Sequence, residues 1–388
     1  MVNYTKRTIY GVSIIFIMGM LSSAVAYITR VITARNLTPA EYGLFASVLT
    51  FITFFLFFRD LGVGQALAKY IPEFIVYKKY NELKSAITFI VVFQMLGSIL
   101  FATIFFLLSD YLAKTYFKDP QAAIMLKILV LYLFGSVIFR LFRHISGGFQ
   151  RMTLFSLLEF LRNIAVLTIT ILLFRFGFKI YTPVIAYTIA PYLMVVVTFY
   201  FIWKIFKFNR YKITSFLPIS KKLWLFSISV FATEVAGKLV TNIDTLILTH
   251  FGNLSEVGIY NAVLPSAMIF LEFGTAVSAV FFPLFSELGA RKDLNRMNEA
   301  LRIMHRYLFA IVIPPALSII VFSEFLLMTF FGSEYVSGTT SLQILMIGML
   351  LFVVASVNNN IITAIGRPKT VAKIVVMISI FNVIANNT

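Results

Sequence analysis

The sequence predicts an all-α polytopic membrane protein of about eleven transmembrane helices, and three observations carry that reading. Of the 388 residues 60% are hydrophobic and 13% charged, where soluble domains carry about a quarter charged, and the mean hydropathy is +0.92. The apolar residues form continuous runs of membrane length, roughly 20 residues each, rather than alternating every second residue as barrel strands do. Lys and Arg gather in the short connections between those runs.

The first run follows Met1–Arg7 and extends to about Ala34 with no small-residue cleavage site. It is longer than a signal-peptide core, so it reads as a retained first span. In order, the expected spans are residues 8–33, 41–58, 85–108, 122–146, 153–176, 181–203, 223–249, 257–284, 305–330, 339–364 and 370–387. Two of the connections on the N-terminal side stand out. Lys204 to Lys222 is basic and interrupted by Pro218, and Glu287 to His305 reads as a short charged surface helix.

Assigning the connections alternately to two sides, starting from the N-terminus, places 24 Lys and Arg on one side and 7 on the other. The richer side includes Lys78, Lys79, Arg140, Arg143, Lys221 and Lys222; only Arg162 and Lys238 fall deep inside spans. By the positive-inside rule the N-terminus is cytoplasmic, and the chain is expected in the plasma membrane. A missed span would scramble this imbalance, so it also supports the helix count. The net charge of +17 is thereby assigned to topology and to anionic lipid headgroups rather than to nucleic acid.

The chain also repeats itself. Tyr27–Phe45 aligns without gaps on Asn242–Tyr260 at an offset of 215, pairing Glu41 with Glu256 and Gly43 with Gly258. The stretch around Arg151 can be laid on that around Arg367 at an offset of 216. The unit is six helices, an even number, so both halves enter from the same side as a parallel repeat. The expected organisation is an N-lobe over 1–205, a basic cytoplasmic connection over 206–222 and a C-lobe over 223–388. The counterpart of span six would end near residue 419 by the same offset, past Thr388, so the second lobe is expected to be truncated, one helix short.

Composition excludes most chemistry. The sequence has no Cys and only His144, His250 and His305, far apart. Neither a zinc-helix motif nor a dinucleotide fingerprint occurs, so no enzyme activity and no cofactor or metal is expected.

The segment Ala34–Phe45 (ARNLTPAEYGLF), the segment Arg59–Leu67 (RDLGVGQAL) and Val257–Ala262 (VGIYNA) resemble the polysaccharide-biosynthesis membrane proteins. These are the O-antigen-type flippases of the MOP superfamily, the multidrug, oligosaccharidyl-lipid and polysaccharide exporters. The resemblance implies a two-lobed transporter that opens alternately to either side. It also implies outward movement of an oligosaccharide carried on a polyprenyl diphosphate such as an undecaprenyl or dolichyl lipid.

Ionisable groups inside spans are costly and therefore functional candidates. On the seventh span Glu234, Lys238, Thr241, Thr245 and Thr249 lie within roughly 60° of one line, with Asn242 beside it. The repeat maps this stripe onto Gly19, Ser23, Ala26, Arg30 and Ala34. Arg30 and Lys238, with Arg162 and Asn242, are the candidate substrate-binding residues, a guanidinium holding phosphate bidentately and an ammonium acting as a point charge. Glu234, Asp244, Glu159 and Glu272 are candidates for charge pairing or for coupling to H+ or Na+. Glu159, Arg162 and Asn163 are spaced to share one helix face, and Arg59–Asp60 reads as an intramolecular pair. Asn358, Asn359 and Asn360 are expected to include a helix-packing amide. The competing readings are a cation-coupled multidrug exporter of the same superfamily, a membrane glycosyltransferase, and an inactive truncated copy. The first would favour an acidic interior; the second would need clustered loop carboxylates.

Overall fold

A computed structural model describes residues 4–214, 216–367, 370–375 and 377–378, with side chains described for all of these except 4–12, 216–217, 229, 232–241 and 279. The chain is an all-α polytopic membrane protein. Its helices are α1 Tyr4–Asn36, α2 Pro39–Asp60, α3 Val63–Val76, α4 Tyr80–Thr115, α5 Gln121–Gly148, α6 Met152–Arg175 and α7 Tyr181–Ile205. They continue with α8 Phe216–Phe251, α9 Leu254–Met268, α10 Phe270–Arg291, α11 Leu294–Val321, α12 Ser323–Phe330 and α13 Thr339–Ala364.

Among the described residues nine helical stretches are long and apolar enough to cross a membrane. The expected seventh span lies within α8, and the expected eleventh falls mostly outside the described residues. The connection expected over 59–84 is itself helical, because α3 carries an apolar face of Val63, Ala66, Leu67, Tyr70, Ile71 and Phe74 that is buried. The surface helix expected over 287–305 does not stand alone. α10 runs to Arg291, Lys292 takes a left-handed turn, and Asp293 caps the next helix by accepting from the Arg296 backbone N–H at 3.1 Å. From Leu294 onward the segment is the first turns of α11.

The chain divides into two compact units. The first comprises Met1–Thr29 and Leu44–Asn253. Its hub is α5, packed on α3, α4, α6 and α7. Leu67, Ile71 and Phe74 of α3 pack with Leu83 and Ile90 of α4, Ile145 of α5 and Ile202 of α7. Phe139 of α5 meets Leu158 of α6 and Met194 of α7. Lipid tails are as apolar as these side chains, so what holds the helices together is close packing and interhelical hydrogen bonding rather than escape from water. The connection between α7 and α8 is fastened down in the same way. Lys84 donates to the Tyr211 carbonyl at 2.8 Å, the Lys212 N–H donates to the Asn81 side chain at 3.0 Å, and Tyr211 stacks on Tyr80.

The second unit comprises Arg30–Gly43 and Leu254–Thr388. There α10, α11 and α13 pack on one another, with α9 against α13. Polar side chains bridge the helices: His305 of α11 contacts the Asn358 side-chain oxygen at 3.0 Å, and Asn360 donates to Ser278 of α10 at 3.0 Å. The expected helix-packing amides of this asparagine run are therefore Asn358 and Asn360.

Candidate functional site

The first unit holds two ion clusters built around α5. α2 ends on Arg59–Asp60, and the chain turns at once through Leu61 and Gly62 with φ of 42° and 72°. Glycine suits this left-handed turn twice over, since a Cβ on Gly62 would lie 2.8 Å from the Ser227 carbonyl oxygen. The turn lets Asp60 end the helix while its carboxylate stays among other side chains. Arg59 binds one Asp60 oxygen from Nε at 3.1 Å and Nη2 at 2.7 Å. Its other terminal nitrogen donates to the Leu133 carbonyl at 2.8 Å and to Ser98 at 3.3 Å. Arg140 of α5 binds the second Asp60 oxygen at 2.8 Å, and Gln94 of α4 donates weakly at 3.4 Å. The Arg59 side chain is completely shielded, whereas that of Arg140 is 39% exposed.

One helical turn further along α5 lies Arg143, the arginine of the second cluster. It donates to one Glu159 oxygen at 3.0 Å while its guanidinium stands 4.3 Å from the Phe155 ring centroid. Arg162 binds the other Glu159 oxygen at 2.5 Å and also reaches Asn163 at 2.9 Å. Asn163 in turn donates to the Ser22 hydroxyl of α1 at 2.7 Å. Each carboxylate is thus held between two guanidiniums, one of them supplied by α5 in both cases.

Among the described residues, two arginines per carboxylate leave one uncompensated positive charge in each cluster, two in all. Charge at this depth is costly unless paired or hydrated, and Arg140 and Arg143 are the members with the most exposure. Arg140 stands 8 residues before the end of α5 and Glu159 stands 7 residues after the start of α6. At 1.5 Å per residue both lie about 10–12 Å in from those helix ends. A doubly charged anion entering among Arg140 and Arg143 would neutralise the surplus, and guanidiniums offer phosphate the matching forked geometry.

The structure joins Arg162 and Glu159 as their i, i+3 spacing predicts, and adds Arg143. Arg59–Asp60 is an intramolecular pair as expected, and Arg140 joins it. Asn242 and Asp244 are half-buried on α8 in the first unit. Arg30 on α1 and Glu272 on α10 are half-buried in the second, and no side-chain hydrogen bond or ion pair of Arg30 is present among the described residues. The side chains of Glu234, Lys238 and Thr241 lie outside the described residues. Thr245 and Thr249 of the same stripe are buried, and Thr249 shares a 2.8 Å hydrogen bond with Ser47. Sequence reasoning missed Arg140 and Arg143, counting them as charges of a connection. The signal available was their position inside the apolar run 122–146, where each needs a partner.

The clusters stand in an all-helical membrane chain with nine membrane-length apolar stretches among its described residues. The family model "Polysaccharide biosynthesis protein" matches residues 9–289. The chain belongs to that family. It is 27% identical to an uncharacterized membrane protein of Methanocaldococcus jannaschii, over 99% of this chain and 78% of the relative. It is 19% identical to a putative O-antigen transporter of Shigella flexneri, over 88% and 81%. A probable low-salt glycan biosynthesis flippase of Haloferax volcanii matches at 24% over 43% and 35%. In fold the chain resembles the lipid II flippase MurJ in an inward closed conformation, with TM-score 0.75, 16% identity, and coverage of 95% and 80%. It also resembles an inward-facing multidrug transporter of the MOP superfamily, with TM-score 0.70, 12% identity, and coverage of 92% and 84%.

Proposed function

We propose that this chain moves a polyprenyl-diphosphate-linked oligosaccharide across the plasma membrane by alternating access, with no covalent step. The observation that carries the reading is the surplus of two guanidinium charges around α5. A diphosphate esterified at both ends carries two negative charges, which matches that surplus. The printed names of the Shigella O-antigen transporter, the Haloferax glycan biosynthesis flippase and the structurally similar lipid II flippase support a glycan or glycan-lipid cargo. A drug exporter for cations would meet repulsion at Arg140 and Arg143, so the interior charge favours the glycan reading over its rival.

In this reading the cytoplasmic side is that of the N-terminus, and the ion clusters stand near the cytoplasmic ends of α2, α5 and α6. The diphosphate leaves the headgroup layer and exchanges onto Arg140 and Arg143 while Asp60 and Glu159 keep Arg59 and Arg162. Arg30, Lys238 and Asn242 serve the glycan later in its path, and Glu234, Asp244 or Glu272 takes up the coupling H+ or Na+. The two repeats act as lobes over 1–205 and 223–388, and the basic connections rest on anionic lipid.

The test is binding. A lipid-linked diphosphate oligosaccharide that binds the folded state raises the unfolding midpoint of the purified protein, because a ligand of the native state stabilises it by mass action. The same glycan lipid with a neutral linkage leaves the midpoint unchanged. Equal shifts from both compounds would refute diphosphate recognition.

A further inference from the structure

In the first unit the corners on the N-terminal side are not separate loops. Glu73, near the end of α3, bonds Lys222 at the start of α8 at 2.6 Å, although 149 residues of sequence separate them. One turn before Glu73, the Lys69 ammonium stands 4.0 Å from the Phe226 ring centroid. Tyr80, Asn81 and Lys84 hold Tyr211 and Lys212 of the connection between α7 and α8, and Ser85 accepts from the Thr214 N–H at 2.8 Å. Phe149, just past α5, meets Phe206 at the start of that connection, with ring centroids 6.0 Å apart. Side chains thus join the α3–α4, α5–α6 and α7–α8 corners into one surface.

That surface is almost purely cationic. Residues 206–222 contain no acid, and both carboxylates of the α3–α4 corner are already taken, Glu73 by Lys222 and Glu82 by Lys79 at 3.0 Å. Lys69, Lys78, Lys207, Arg210, Lys212 and Lys221 are exposed, and none has a carboxylate partner among the described residues. Lys78 takes a left-handed φ of 56°, and beside it Val76 and Tyr77 are 75% and 67% exposed.

The surface also has a definite level. α5 is 28 residues long, about 42 Å, which is the thickness of a bilayer with its headgroups. Its last residue, Gly148, presses on α3, since a Cβ there would lie 2.6 Å from Ile71 Cδ1. The cations therefore surround the end of α5 at headgroup level, where an exposed Tyr also settles. Arg143 and Arg140 stand 5 and 8 residues back from that same end, about 7 and 12 Å deeper.

We propose that these joined corners form a collecting surface for lipid-borne diphosphate, from which the glycan lipid passes to Arg143 and Arg140. The proposal deepens the flippase reading and rests on it. A field that concentrates a singly charged headgroup by some factor concentrates a doubly charged one by the square of that factor. The surface therefore favours the diphosphate over the anionic phospholipids that compete for it. Charges outside a binding site act on encounter and its salt dependence more than on the bound state. The six exposed cations set how fast the deeper arginines load.

Lys78→Gln/Lys207→Gln/Arg210→Gln/Lys212→Gln removes four of these charges. In phosphatidylcholine vesicles containing the purified protein, this variant raises the half-saturating amount of lipid-linked diphosphate oligosaccharide about tenfold. The maximal rate changes far less, and most of the parent's salt dependence is lost. Lys114→Gln/Lys179→Gln, exposed at the opposite helix ends, changes neither. An unchanged half-saturation and salt dependence in the fourfold variant would overturn the proposal. In vesicles about one-third phosphatidylglycerol, the parent's half-saturating amount rises toward the variant's as phospholipid competes. A variant impaired only in those vesicles would mark the surface as a phospholipid anchor and overturn the proposal too. If the parent moves no lipid-linked oligosaccharide, the flippase reading fails, and a labelled geranyl diphosphate offered in neutral detergent still decides the surface. Binding about tenfold weaker in the fourfold variant than in the parent supports it; equal binding, or none by the parent, would overturn it.

Discussion

Asp60→Asn removes one charge and almost no volume, so it isolates what the carboxylate does for the first cluster. Asp60 accepts two hydrogen bonds from Arg59 and one from Arg140, and its side chain is 18% exposed. Without the charge, Arg59 is left with neutral acceptors, the Leu133 carbonyl, Ser98 and the new amide oxygen, while fully shielded and facing a second guanidinium. Deleting one partner of a buried pair costs about 3–5 kcal/mol. Asp110→Asn is the matched control: Asp110 pairs with Lys127 at 3.0 Å with side chains 69% and 37% exposed. Exposed pairs contribute about 0–1 kcal/mol. Unfolding of the purified protein in mixed detergent micelles reads both. Asp60→Asn is expected to cost several times what Asp110→Asn costs. Replacing the cluster as a set, Arg59→Met/Asp60→Leu/Arg140→Met, is expected to cost less than Asp60→Asn alone, because no ion is left stranded. If Asp60→Asn lay within about 0.5 kcal/mol of the parent, the cluster would not be held by the carboxylate and the charge accounting would be wrong.

Three further outcomes follow from the same geometry. Glu159→Gln strands Arg143 and Arg162 together and is expected to destabilise by a similar amount, about 3 kcal/mol or more, in the same unfolding assay. Asn163→Ala leaves the Ser22 hydroxyl without its donor and frees α1 from α6. The cost is about 1 kcal/mol, the usual scale for an interhelical hydrogen bond in a membrane, and hydrogen exchange of α1 rises around Ser22. Tyr116→Phe deletes the bond to the Leu246 carbonyl and costs about 1 kcal/mol; an unchanged unfolding midpoint would show that this bond adds nothing to the folded state.

Most of the architecture was legible because a membrane demands it. A helix crossing lipid must be about 20 residues long and apolar, and both properties are visible in one sequence. The Glu159–Arg162 pair was legible for a local reason, since three residues along a helix bring two side chains to one face. Arg140 and Arg143 were not, because their partners Asp60 and Glu159 lie on other helices, 80 and 16 residues away, and no spacing rule reports such meetings. α3 escaped notice because Lys69, Lys78 and Lys79 mark its neighbourhood as a connection. Its apolar face, at spacings of three and four, was present in the sequence all along. The repeat offset was found from a handful of matched residues, Gly43 and Gly258 among them. What the sequence withheld was that those equivalent glycines touch each other in the second unit.

The central claim is that the interior guanidiniums serve a diphosphate that crosses the membrane. The most direct measurement is transbilayer movement of a lipid-linked diphosphate oligosaccharide in vesicles containing the purified protein. An Arg140→Gln/Arg143→Gln variant, checked for folding, and an Arg30→Ala/Lys238→Ala variant are run alongside. The account predicts movement by the parent, a loss of at least about a hundredfold in the first variant, since two charge-assisted contacts are removed, and a clear reduction in the second. Movement at the parent rate by a folded Arg140→Gln/Arg143→Gln protein would contradict it.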